Sequence, residues 1–200
     1  MKFFEKLSAF AEKVRLESTS IESSEAPKSR LVIPFIKTVL GYGTENPDEI
    51  AADYACQTAT GQTEKVDYVI FRDEAVYGLV KQVPEGTRLG AVQKSALARI
   101  HNASGAQFSV LTDGQVYQFF ADLKIPGRMD GTPFLIVDLL KIDAIAVSKL
   151  KRLTKSTYRS IPTTVSSEEQ SYIQQISNEL KTRLSKPEED FMKNFCRAGL

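Results

Sequence analysis

The chain has 200 residues, 42% of them hydrophobic, enough to bury the core of one domain with a small appendage. Twenty-six basic residues against twenty-five acidic ones leave a net charge of +1, which excludes a global field for a polyanionic partner and confines any nucleic-acid surface to a local patch. Cys56 and Cys196 stand far apart and His101 is the single histidine, which argues against a zinc site and against cysteine–histidine catalysis.

Charges interrupt the apolar positions of the first residues, and neither a signal-peptide core nor a run of membrane-spanning length occurs. A reduced, cytoplasmic setting without membrane contact is therefore expected. Phe3, Leu7, Phe10, Ala11 and Val14 recur at helical spacing, so residues 1–20 read as an amphipathic helix whose apolar stripe docks on the core or on another subunit. A polar break follows, after which Ser23 or Ser24 caps a second helix, with Pro27 in its first turn. That helix buries Leu31, Val32, Phe35, Ile36, Val39 and Leu40 and stops at Gly41.

From Glu49 the pattern becomes strand-rich. Predicted strands are Ile50–Cys56, Val66–Phe71, Val76–Gln82, Gln107–Thr112, Val116–Phe120 and Phe134–Leu139. Thr60-Gly61 and Asp113-Gly114 mark turns, the second a hairpin signal. A helix over Leu89–Asn102, apolar at Leu89, Val92, Ala96, Leu97 and Ile100, interrupts the strands, and His101 near its end is expected to complement the dipole as a structural or surface residue. After Leu140 helices are predicted over Ile142–Leu153, Ser166–Leu184 and Pro187–Arg197. The expected architecture is α/β (α+β), a mixed central sheet flanked by helices. Its core spans 21–141 and a helical appendage spans 142–200.

Two features carry chemistry. The segment from Lys65 to Lys81 places Asp67 near the start of one strand and Lys81 near the end of the next, roughly facing each other across a hairpin. Between Ala144 and Ser167 stand Lys149, Lys151, Arg152, Lys155 and Arg159 with no acidic residue, a segment suited to tracking a phosphate backbone or, more blandly, a solvated helix face. Lys124 and Arg128, beside Pro126 and Gly127, extend this patch if the fold brings their loop close.

Several stretches in order resemble the N-terminal nuclease domain of the restriction subunit of type I restriction–modification enzymes. They are Glu25-Ala26-Pro27-Lys28 with Leu31-Val32-Ile33-Pro34-Phe35, then Leu40-Gly41-Tyr42, then Glu64-Lys65-Val66-Asp67-Tyr68-Val69-Ile70. Val110 to Gly114, Tyr117 to Leu123 and Pro133-Phe134-Leu135 complete the set. The resemblance covers about Ser24 to Leu140. It implies a PD-(D/E)XK restriction-endonuclease-like fold, DNA as partner and substrate, and Mg²⁺ as cofactor, with Asp67 as metal ligand, Glu25 as the glutamate of the first core helix, and Lys81 as a candidate catalytic lysine.

The resemblance fails where the chemistry is most demanding. The strand after Asp67 should supply Glu-x-Lys, because Mg²⁺ needs a second carboxylate and the nucleophile a nearby cation. The chain reads Val76-Tyr77-Gly78-Leu79-Val80-Lys81-Gln82. Either Leu79 stands in the glutamate's place or, without a gap, Lys81 does and Val83 replaces the lysine. In the next helix the family's Gln and its following Arg and Tyr correspond to Ala96, Arg99 and Ile100, so Arg99 alone is kept, as a candidate nucleic-acid contact. The leading expectation is a nuclease fold that binds DNA or a protein partner with weak or no cleavage. The alternatives are an active endonuclease that recruits Glu64 or Glu74 as a substitute ligand or makes do with Asp67, Glu25 and a water-rich metal site, and a structural or regulatory module that oligomerises through its terminal helices.

Overall fold

The computed structural model describes residues 3–19, 29–83, 89–157, 175–178 and 182. Six strands form one sheet in sequential order: β1 (Ile50–Gln57), β2 (Thr63–Arg72), β3 (Ala75–Gln82), β4 (Phe108–Thr112), β5 (Val116–Phe120) and β6 (Leu135–Asp138). All neighbouring pairs are antiparallel except β3 and β4, which run parallel. A parallel pair needs a crossover, and here it contains helix α3 (Ala91–Ser104). The mixed sheet flanked by helices is the architecture expected from the alternation of apolar runs.

Sheet pleating sends alternate residues to opposite faces, and each face has its own cover. On one face α3 seats Leu97 and Ile100 against Val69, Leu79, Leu111 and Phe120. The opposite face carries Tyr77, Phe108, Tyr117 and Phe119, covered by α2 (Ser29–Pro34) and a π-helical segment, Phe35–Leu40, that continues it. Phe35 stacks on Tyr117 with centroids 3.9 Å apart, and Tyr77 meets Phe108 edge to face at 5.0 Å. Gly41, φ +82°, ends the segment as its position predicts. Helix α1 (Phe3–Thr19) buries Phe4, Leu7, Phe10, Ala11 and Val14, and Phe10 lies 5.8 Å from Phe35. Its apolar stripe is thus covered within the chain, which decides between the two expected docking partners in favour of the core.

Helix α4 (Ala144–Lys151) is capped by Asp143, whose carboxylate accepts the amides of Ile145 and Ala146. It packs on β6, and the turns after it reach the end of the π-helical segment, where the Lys155 amide donates to the Leu40 carbonyl. Contacts divide the chain into two units, Met1–Thr163 and Thr164–Leu200. Helices α1 and α4 belong to the first, with the sheet. In the second, residues 175–178 and 182 are helical. The expected helices over 166–184 and 187–197 otherwise lie outside the described residues. No described helix is long and apolar enough to cross a membrane.

In α3 one sequence expectation changes and another, left between a structural and a surface role, is decided. Val92 is 79% exposed, and His101 is buried. At 3.6 residues per turn Val92 stands about 140° round the helix from Leu97, so it cannot share the core stripe, whereas His101 falls one turn beyond Leu97 and points inward. There its Nδ1 lies 2.8 Å from the Ser109 hydroxyl on β4. His101 is therefore an interior hydrogen-bonding group and not a solvent-facing complement to the dipole.

Candidate functional site

Asp67 and Lys81 lie where β2 and β3 part. The last regular cross-strand pair is Tyr68 with Val80, which brings Asp67 and Lys81 opposite each other one step further on. The Asp67 Oδ2 accepts the backbone N–H of Gln82 at 2.8 Å and stands 3.8 Å from the Lys81 ammonium. Lys81 also donates to the carbonyl of Lys65 at 3.2 Å. One carboxylate and one ammonium thus bridge two diverging strands. Both side chains are partly exposed, so the ion pair itself contributes little to stability.

The same point is irregular on β1. Tyr54 pairs with Val66 and Ala52 with Tyr68, so the register brings Asp53 opposite Asp67, yet Asp53 adopts φ +51°. Left-handed backbone at a non-glycine residue breaks the ladder locally. Val66 and Val69, three residues apart, join the same apolar cluster under α3, so the alternation of β2 is interrupted between them. Burial raises the pKa of Tyr68, and the carboxylates of Asp67 and Asp53 raise it further. Asp53 is a neighbour of Asp67 that the sequence reading missed. Counting back from the hairpin through β2 to its edge partner would have found it.

The other carboxylates are placed elsewhere. Glu64 receives both Nε and Nη2 of Arg99, the latter at 3.2 Å, so α3 is clamped to β2 by a two-pronged ion pair. This pair raises the Arg99 pKa. Glu74 sits with Asp73 in the two-residue turn between β2 and β3, roughly 20 Å along the strand from Asp67 at the usual rise per residue. Neither glutamate is aimed at Asp67. Leu79 pairs with Val69 and is fully buried, so it faces the core rather than Asp67. Ala96 and Ile100 of α3 offer no polar group, and Ile100 is part of the apolar cluster. Glu25 lies outside the described residues.

Among the described residues no group of three His, Cys, Asp or Glu side chains is placed to hold a metal ion, and on β3 the group facing Asp67 is the ammonium of Lys81.

The basic segment is spread over the opposite side of the sheet from α3. Lys155 forms an ion pair with Glu49 at 2.8 Å, and the Glu49 carboxylate, which also accepts the Gly43 amide, is held below its ordinary pKa, first by the Lys155 hydrogen bond. Lys149 donates to the Phe134 carbonyl at 3.4 Å. Lys151 and Arg152 lie at the end of α4 and in the turn after it, half-buried, while Arg159 lies outside the described residues. Arg99 stands on the α3 side, so the fold separates it from the α4 cations. The loop of Lys124 and Arg128 also goes to the α3 side, where the Met129 amide donates to Asn102 of that helix.

No family model and no curated protein matches the chain. Among solved structures it is similar to one described as a cryo-EM structure of a DrdV–DNA complex, with 16% sequence identity and a TM-score of 0.49, covering 74% of this chain. The chain spans 13% of that chain's length. Likeness at this level assigns neither activity nor ligand.

Proposed function

We propose that this chain is a PD-(D/E)XK-type module, akin to the nuclease domain of the type I restriction subunit, that binds DNA without cutting it efficiently. The observation that carries this reading is the cation facing Asp67: Lys81 occupies the cross-strand position from which a second carboxylate would share a metal with it. The ungapped alignment, with Lys81 in the glutamate's place, agrees with Leu79 being turned into the core. An ammonium there neutralises Asp67 and removes the anionic cradle on which hydrolysis with Mg²⁺ depends. What remains is a sheet scaffold with cations on both sides of it. Lys149, Lys151, Arg152 and Lys155 are the candidate phosphate contacts on one side and Arg99 on the other, with Arg159, outside the described residues, a further candidate. Those tied up in exposed ion pairs, such as Lys155, exchange a weak partner for a phosphate at small cost.

The test has two arms. Duplex DNA incubated with the protein and Mg²⁺ or Mn²⁺ is expected to stay intact, while its binding affinity falls steeply as salt rises. Metal-dependent cleavage that disappears in Asp67→Ala overturns the non-cutting reading, and affinity that is absent at low salt overturns the DNA-binding one. Calorimetry with Mn²⁺ alone adds a gain-of-function check. Lys81→Glu, which restores a carboxylate opposite Asp67, is expected to acquire metal binding that the parent lacks and that Lys81→Gln does not gain.

A further inference from the structure

The connection from β5 to β6 is held rigid while its tip is left unsatisfied. Asp122 accepts the Gly127 amide at 2.6 Å, and Asp130 accepts the Leu123 amide at 3.2 Å. Between them, the Arg128 amide donates to the Ile125 carbonyl at 3.0 Å, closing a turn centred on Pro126 and Gly127, the latter at φ +75°. The base of the loop is anchored to α3: the Met129 amide reaches the Asn102 side chain at 2.8 Å, Lys94 donates to the Gly131 carbonyl at 2.8 Å, and the Met129 side chain is buried in the apolar cluster.

Both acidic side chains of the loop are therefore directed at its own backbone amides. The cations are not compensated in the same way. Lys124 and Arg128 are exposed, and neither makes an ion pair among the described residues. The two apolar residues of the tip are also turned outward, with Leu123 40% and Ile125 54% exposed. A preorganised turn that holds an isoleucine in water between two unpaired cations has already met the ordering cost of binding. In a chain of net charge +1 this is a local positive feature and not part of a general field.

We propose that the 123–128 turn is a nucleic-acid contact of this protein, with Lys124 and Arg128 on phosphates and Ile125 as an apolar wedge in the groove between them. The inference rests on the DNA-binding reading above and adds to it a surface on the α3 side. Charge complementarity selects a polyanion, and the wedge between cations is a form that groove-binding proteins use to contact unstacked base steps.

The experiment is fluorescence anisotropy of the full chain with a labelled duplex across a salt series. Lys124→Ala with Arg128→Ala is expected to weaken binding several-fold near 0.1 M salt and to make the slope of log affinity against log salt shallower by about 1.8, as loss of two phosphate contacts on duplex DNA requires. The charge-conserving Lys124→Arg with Arg128→Lys keeps the slope. Ile125→Ser weakens binding and leaves the slope unchanged. If the parent binds DNA and neither the double alanine nor the serine variant alters affinity or slope, the loop proposal is wrong and the DNA-binding reading stands. If the parent shows no salt-dependent affinity, both fall together. Binding to vesicles of phosphatidylserine and phosphatidylcholine, with none to DNA, overturns the proposal in favour of a membrane surface.

Discussion

At the scale of single residues, Gly78 shows how tightly the centre of the sheet is specified. A Cβ built on it would stand 2.5 Å from the Phe108 ring, whose strand runs parallel to its own and pairs the two residues directly. The ring has little room to yield, because it is fully buried and packs against Tyr77 and Phe119. Gly78→Ala is expected to destabilise the fold by about 1–3 kcal/mol, the usual cost of overpacking, measured as a lower urea midpoint with unchanged slope. Asp67 and Lys81 were legible as roughly facing, but the exact pairing was not: counting from the turn sets Asp67 opposite Val80, and the irregularity between Ile70 and Phe71 shifts the register by one to bring Lys81 there. The parting of the strands beyond the pair of Tyr68 and Val80 was not legible either. Beyond that pair the Asp67 carboxylate accepts the Gln82 amide, and on the other side of β2 Asp53 adopts a left-handed backbone that no local propensity rule announces.

At the scale of elements, all six strands and the first four helical regions follow from apolar periodicity and from turn residues. Asp113 accepts the amides of Gln115 and Val116, and Gly114 takes φ +92°, so the Asp-Gly pair forms the hairpin it signals. The turn between β2 and β3 is built differently: Asp73 and Glu74 both adopt positive φ without a glycine, and the strands on either side enforce it. Helix α4 is short, so its cap carries much of its local stability. Asp143→Ala removes acceptors for two end amides and is expected to cost about 0.5–2 kcal/mol, with hydrogen exchange at Ile145 and Ala146 rising before that of the sheet. Periodicity identified α4 as a helix but not that it would pack on β6, because a helical stripe shows that a face is buried and not against what.

At the scale of the whole molecule, His101 couples stability to pH. Burial holds its pKa below the ordinary value of 6.5, and the carboxylates of Asp122 and Asp130 oppose that shift only in part. The folded chain keeps the ring neutral where the unfolded chain protonates it. Its contribution is therefore intact above the unfolded value and is lost as pH falls from there toward the depressed folded value. Urea midpoints are expected to drop as pH falls through the ordinary histidine value of 6.5, and His101→Gln is expected to flatten that dependence even if it lowers stability throughout. The molecule's two sides also differ in how readable they were. The α4 cations announced themselves as a run in sequence, whereas the Lys124 and Arg128 turn is assembled by tertiary contacts with α3.

Strand β1 forms one border of the sheet and runs for eight residues with no partner on its outer side among the described residues. Such a border invites another copy of the chain to zip alongside it and seed fibrous aggregates. Asp53 stands near its middle with a kinked backbone and an exposed charge, dividing the row of free amides into two lengths too short to template a strand. Asp53→Asn, which removes the charge but not the kink, is expected to raise aggregation at high concentration only in part, measured by light scattering.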